Sequence, residues 1–330
     1  MKNFALKLLG LTGICLCLVA GYNYWNDTSG LYNQDFSVPR QEPDQHFVKV
    51  RYLLENPTKY DAYCFGSSRV GNIDLTKIED GHRYYNMTYS EGLPEEWLAD
   101  VKIMLKHQVT IKRILVGCDD FSFRVDPKMH ESQYLRVPYK EDNLKTYLSF
   151  LLKVPSMPVR SSDKNSIYDI YSSGLPLHDF VDVEIEKNPE KHLAEMAAKP
   201  PTHYAGNYME QTLDALRELK QICDANGIEL IVFINPINHK TYMDTNKKEF
   251  NAFKAGLADI TDYYDFSGLN DITTNDYYYY ETSHYRPLVG DMMVHRLLDE
   301  PKELNTDFGR YVTRENVDTH IEFLQAQLAQ

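Results

Sequence analysis

The chain has 330 residues, 43% hydrophobic and 25% charged, which is enough to bury a substantial core in one large α/β domain or two smaller ones. Its formal charge of −13 gives a surface that repels phosphate backbones, so nucleic acid is excluded as a partner class. With 25 tyrosines among its apolar residues, the composition is that of a folded chain and not a disordered one.

At the N-terminus, Lys2 precedes an apolar run from Phe4 to Ala20 that only Lys7 interrupts, followed by Tyr22, Tyr24 and Trp25. At 1.5 Å per residue, Phe4 to Trp25 just crosses a bilayer, with Lys7 reaching back to the cytoplasmic side and the aromatics at the far interface. Residues 1–25 are therefore expected to be a membrane anchor, with the rest of the chain outside the cytoplasm. The competing reading is a signal peptide cleaved after Cys17-Leu18-Val19-Ala20, which would leave a secreted protein. Cys15 and Cys17 fall in this run, leaving Cys64, Cys118 and Cys223; an odd number at strand or helix positions reads as buried thiols, not a disulfide framework.

Residues 26–55, with Asp27, Gly30, Pro39 and Pro43, read as a stalk leading into a helix over His46 to Glu55. Residues 56–330 then form a single domain. Strands are predicted at Asp61 to Gly66, Tyr84 to Met87, Ile111 to Gly117, Ile228 to Ile234 and Tyr263 to Phe266. Between the second and third, Pro94 to Lys106 places Trp97, Val101, Met104 and Leu105 at helical spacing. Asn207 to Ala225 is the clearest helix, with Asn207 and Glu210 as a capping box and Asn226-Gly227 as its stop. This alternation predicts an α/β fold, a doubly wound parallel sheet of about five strands joined by right-handed crossovers.

Residues 121–205 break the rhythm, carrying a helix near Leu144 to Lys153, the Ser161-Ser162-Asp163 turn and Pro200-Pro201. They read as a helical and loop insertion after the third strand, at the sheet edge where α/β proteins place ligands. The insertion either shapes a substrate cleft or decorates the surface.

Ser68 follows the first strand, where backbone N–H groups at a helix start can face a developing negative charge. Gly66 is expected to permit a tight turn beside it. The plainer account is a loop whose Ser67 and Ser68 satisfy backbone groups. His284 lies after the fifth strand, at the same edge, with Glu281 three residues earlier to accept one imidazole N–H and leave the other nitrogen as a base. A lone histidine is more often structural, so this pair gains weight only through the topology. Asp119, Asp120, Asp276, Glu281 and His284 include metal-ligand types without a dedicated metal spacing. The tyrosines of Asp262-Tyr263-Tyr264-Asp265 and of Tyr277 to Tyr280 either stack on sugars or pack.

Gly66-Ser67-Ser68 closing the first strand, together with Glu281-Thr282-Ser283-His284 near the end, resembles the SGNH/GDSL hydrolase superfamily. Its first block has a Gly-x-Ser nucleophile and its last an Asp-x-x-His. The Gly-Ser-Ser-Arg form, Asn235-Pro236 after the fourth strand, Ser283-His284-Tyr285 and the anchor are similar to the extracytoplasmic branch that includes teichoic-acid D-alanylation and polysaccharide O-acetylation proteins. The resemblance covers roughly Tyr60 to Leu298, with the insertion outside the common core.

The resemblance implies a flavodoxin-like sheet, Ser68 as nucleophile, His284 as base and Glu281 where the family has an Asp. It also implies Gly92, after the second strand, as an oxyanion N–H donor. The third block, usually Gly-x-Asn-Asp, here reads Gly117-Cys118-Asp119-Asp120. An ionised Asp119 offers only acceptors where an Asn would donate, and losing such a donor typically costs about a hundred- to a thousandfold in rate. Arg69 either compensates as a cation that binds an acidic substrate or pairs with Asp119 or Asp120. The implied activity, with no cofactor, is a serine esterase or O-acyltransferase acting on acyl esters, acetyl among them, of a bacterial cell-envelope polysaccharide. A multi-span membrane acyltransferase is the implied partner. The alternative is a catalytically degenerate domain that binds glycan or scaffolds such an acyltransferase.

Overall fold

The computed structural model describes residues 2–32, 40–41, 43–132, 136–154, 167–176 and 179–329. Pro39 and the Ser161-Ser162-Asp163 turn lie outside them. Helix α1 (Lys2–Asn26) is the apolar N-terminal segment, long enough to cross a membrane or to serve as a signal sequence. Of the segment expected to be a stalk, residues 27, 29–31 and 43–53 are buried on the domain. Asp27 accepts from the Leu31 and Tyr32 N–H groups, and Arg51 donates to the carbonyls of Gly30 and Leu31. The strand β1 (Arg40–Gln41) pairs antiparallel with β5 (Ile167–Tyr168) as a separate two-stranded ribbon. Asp44 caps α2 (Gln45–Glu55) by accepting from Phe47 N–H.

The domain's sheet comprises β2 (Ala62–Gly66), β3 (Tyr84–Asn86), β4 (Arg113–Cys118), β6 (Glu229–Ile234), β7 (Tyr263–Asp265) and β8 (Arg310–Val312). Their order is β3-β2-β4-β6-β7-β8, parallel except for β8, which runs antiparallel to β7. The sheet therefore has six strands, not about five, and is not wholly parallel. Three residues with a half-exposed Tyr311 gave β8 too little alternation to stand out from the chain around it.

Side chains alternate across the sheet as the period of two requires. Tyr63, Phe65, Ile114, Val116, Val232 and Ile234 face one core, which α2, α3 (Pro94–Lys106), α7 (Met209–Asn226), α9 (Lys247–Ala258) and α11 (Val317–Gln327) cover. Ala62, Cys64, Leu115, Phe233 and Tyr264 face the other, under α10 (Pro287–Leu298). Covering on both faces explains why the central strands are continuous apolar runs.

Helix α3 starts where expected, with Pro94 in its first turn and Glu96 accepting from Leu93 N–H. The Asn207–Glu210 capping box does not form. Tyr208 is the N-cap residue of α7, and Asn207 accepts from Met209 N–H in a local turn. At the other end, Gly227 adopts φ 66°, the left-handed stop that a glycine after the helix permits. Between β4 and α7 lie α4 (Leu144–Leu152), α5 (Asp179–Lys187) and α6 (Pro189–Ala197). A short α8 (His239–Asp244) follows β6.

Candidate active site

The connection leaving β2 runs to β3 on one side, whereas the connection leaving its other neighbour, β4, runs the opposite way to β6. Open α/β sheets place ligands at such a reversal, outside the carboxyl ends of the strands. The residues after β2 lie at that edge, in a 3₁₀ turn over Ser68–Asn72. Gly66 serves here through space, not a special dihedral. A Cβ on it would lie 2.2 Å from Val70 Cγ2, and one on its register partner Gly117 would lie 2.5 Å from the same atom. The two glycines form a slot that Val70 occupies, and this seats the turn on the strand ends.

The adjacent serines divide the work. Ser67 is fully buried: its hydroxyl accepts from Arg69 N–H at 3.3 Å and its carbonyl from Val70 N–H and the Thr88 hydroxyl. Ser68 is half-buried, with its Oγ 2.7 Å from His284 Nε2. On the far side of the imidazole, Nδ1 is hydrogen-bonded to Glu281 Oε1. That carboxylate also accepts the N–H groups of Ser283 at 2.7 Å and His284 at 2.9 Å. Burial works against the Glu281 charge, but the His284 ring and these two N–H groups outweigh it and hold the carboxyl below its usual range. With Glu281 holding Nδ1, the tautomer that bears its proton there leaves Nε2 free to accept from Ser68. The extra methylene of Glu relative to Asp is absorbed by the turn, which brings Glu281 back onto its own loop's N–H groups.

Arg69 is buried, so it is not a surface cation for an acidic substrate. Its Nη1 donates to Asp119 Oδ1 and Asp120 Oδ1, both at 2.8 Å, and its Nε to the Ser283 carbonyl at 2.7 Å. The Phe121 ring lies 5.2 Å from the guanidinium carbon. Burial disfavours the guanidinium charge, but Asp119 and Asp120 more than compensate, so Arg69 is held protonated. Asp119 is therefore a partner of Arg69 and not an element lining an oxyanion site. It also accepts from Asn235 Nδ2 at 3.0 Å, and Asn235 Oδ1 accepts from the Tyr285 hydroxyl at 3.0 Å.

Both chain neighbours of His284 are thus tied down, Ser283 to Arg69 beside the serine and Tyr285 through Asn235 to Asp119. This hydrogen-bonded ring fixes the distance between Ser68 and His284. Its signal in the sequence was limited to the resemblance, because its members come from loops as far as 214 residues apart.

Gly92 packs against β2, where a Cβ would lie 2.6 Å from the Gly66 carbonyl, and its own N–H points to the Tyr89 carbonyl at 3.4 Å. The Ser68 N–H has no protein acceptor among the described residues.

The insertion holds the histidine loop from outside. Arg286 Nε donates to Asp182 Oδ1 of α5 at 2.7 Å, and the Tyr280 hydroxyl donates to the other oxygen of that carboxylate. His192 of α6 is hydrogen-bonded to the Tyr279 carbonyl at 2.8 Å, and Thr282 donates to the Pro200 carbonyl at 2.7 Å. Of these residues, Asp182, His192 and Arg286 carry no motif that marks them in the sequence. Tyr263, Tyr264 and Tyr279 are buried, so they pack and do not stack on sugars. Among the described residues, no three His, Cys, Asp or Glu side chains converge as a metal site. Asp276 instead accepts from Asn238 at 2.9 Å.

No protein-family model, no curated protein and no solved structure matches the chain significantly.

Proposed function

We propose that this chain is a serine hydrolase or O-acyltransferase of the SGNH type, anchored through α1 and acting outside the cytoplasm on acyl esters of an envelope polysaccharide. The observation that carries the reading is Ser68 Oγ at 2.7 Å from His284 Nε2 with Glu281 on Nδ1, all at the carboxyl edge of a mainly parallel sheet. The substrate class and the membrane partner come from the resemblance of the Gly-Ser-Ser-Arg and Glu-Thr-Ser-His runs. The strand order β3-β2-β4-β6-β7 is compatible with a flavodoxin-like SGNH core.

In this reading, Ser68 Oγ attacks the acyl carbonyl carbon as its proton passes to His284 Nε2, and Glu281 stabilises the imidazolium that forms. The Ser68 N–H faces the tetrahedral oxyanion. As the intermediate collapses, the C–O bond to the alcohol breaks and His284 returns the proton to the leaving oxygen. Water or a sugar hydroxyl, deprotonated by the same nitrogen, then attacks the acyl carbon, and as the bond to Ser68 Oγ breaks His284 returns that proton to the serine.

The scaffold reading draws on Asp119, whose commitment to Arg69 removes the side-chain donor that an Asn would give. One experiment separates the two. A fluorophosphonate probe is expected to label the full chain, and Ser68→Ala to abolish labelling while Ser67→Ala keeps it at a level set by its effect on folding. A folded chain that resists the probe and binds glycan would instead make the domain a scaffold.

A further inference from the structure

Helix α4 carries Leu144, Leu148 and Leu152 at successive i+4 positions, exposed by 65%, 49% and 51%, with Val154 exposed just beyond them. Its other side provides what the domain needs: Phe150 is buried in a cluster with Leu31, Phe47 and Ile170, and the Tyr147 ring meets Phe47 edge-on at 5.7 Å. Scattered surface leucines need no explanation, but a contiguous stripe does.

The position of α1 says what covers it. Asn23 Nδ2 donates to the carbonyls of Leu151 at 2.8 Å and Lys153 at 2.9 Å, so the end of α4 is bonded to the last turns of α1. Residues 2–18 of α1 are exposed on every side, and contact with the domain begins only at Val19. Those residues rise about 25 Å, less than the roughly 30 Å of a hydrocarbon core. A bilayer spanned by α1 therefore reaches the turns on which α4 is docked. Tyr22, Tyr24 and Trp25, all exposed, belong to the aromatic belt expected at that depth.

We infer that α4 is a membrane foot, lying on the outer leaflet with Leu144, Leu148 and Leu152 set into the lipid interface. This rests on the reading of α1 as an anchor. A single spanning helix leaves a domain free to swivel about it, whereas a second contact fixes which side faces the lipid. The insertion thereby joins the membrane to the histidine loop, since α5 and α6 of the same insertion grip Tyr279, Tyr280 and Arg286.

The test uses the full chain with Cys15→Ser and Cys17→Ser, carrying Leu148→Cys labelled with an environment-sensitive nitrobenzoxadiazole and reconstituted in phosphatidylcholine vesicles. Lys102→Cys on α3 is the solvent-facing control, and Leu144→Cys repeats the measurement one turn away. The expected result is blue-shifted emission at positions 148 and 144 that is largely lost when the vesicles carry a shallow acyl-chain nitroxide, with position 102 unaffected. If both α4 positions behave like 102 in a chain that resists carbonate extraction, the foot is wrong and the anchor stands. A chain that carbonate extracts ends both. A blue shift that the nitroxide does not quench would show the stripe covered by a second copy of the chain, which also overturns the proposal.

Discussion

Ser67 and Ser68 are chemically identical neighbours, and their difference comes from one step along the chain. Ser67 is turned into the protein, where backbone groups use both its hydroxyl and its carbonyl, so its substitution acts on the turn; Ser68 is half-exposed and bonded to an imidazole. The same logic separates Asp119 from the asparagine of the family it resembles. A buried carboxylate requires a cation, Arg69 supplies it, and removing Arg69 would leave the buried Asp119 carboxylate without a cation at a cost of about 3–5 kcal/mol. His284→Ala is expected to lower ester cleavage at least about a hundredfold with an unchanged far-ultraviolet spectrum. Glu281→Gln keeps the shape but places an amide against Nδ1 and forfeits the carboxylate that supports the imidazolium; the expected loss in kcat is about a hundred- to ten-thousandfold, with KM little changed. Turnover near that of the unaltered chain in either variant would remove these residues from the proposed chemistry. Because Glu281 ionises below the ordinary carboxylate range, its stabilisation of the loop is complete above that range and is lost only as pH falls through its lowered value.

Among the elements, α2 and α3 show how a buried pair makes stability depend on pH. His46 Nε2 lies 2.8 Å from Asp100 Oδ2, and its ring stacks on Tyr89 at 4.1 Å. Burial opposes the imidazolium charge, but Asp100 outweighs it, and the His46 pKa is pushed up to about 9. A histidine in the unfolded chain titrates near 6.5. The folded state therefore binds the extra proton between those values. Its contribution, about 3 kcal/mol, is fully present below pH 6.5 and is lost as pH rises through about 9. Thermal unfolding of the micelle-solubilised chain should show melting temperature falling across that window, and Asp100→Asn should flatten the fall as well as lower the starting value. An equally steep fall in Asp100→Asn would assign the dependence to other groups. Neither partner stood out in the sequence, because a histidine and an aspartate 54 residues apart have no spacing to announce them. The central strands were legible for the opposite reason: β2, β4 and β6 are covered on both faces and read as unbroken apolar runs. Strand β8 and the β1–β5 ribbon are too short for periodicity, and their pairing is set by tertiary position. Of the site, the serine and histidine were legible through their placement after strands at one sheet edge. Of the ring, the pairing of Arg69 with Asp119 or Asp120 was one of two readings of that arginine, whereas the links through Asn235 and Tyr285 were not legible, since long-range side-chain bonds leave no local pattern.

For the whole molecule, the arrangement ties an N-terminal helix to a catalytic-looking rim through one insertion, and this bears on whether that helix is retained. The segment after Ala20 is part of the folded domain: Asn23 is bonded to the α4 carbonyls, Asp27 to the Leu31 and Tyr32 N–H groups, and Lys153 donates to the Ser29 hydroxyl at 2.7 Å. A signal peptide must enter the peptidase as an accessible extended segment, whereas here α1 continues unbroken from Lys2 to Asn26 across the Ala20 position. Helix continuity and docking of its last turns both oppose cleavage there; on the proposed anchor reading, attachment lies against the domain wall instead of at the end of a loose tether. The chain is therefore expected to stay in the membrane fraction after carbonate washing and to show by mass spectrometry the mass of the full sequence, with or without the initiator methionine. Recovery from the medium of a chain beginning at Gly21 would mean that the helix is removed, and that the docked turn survives only as a short stub on α4.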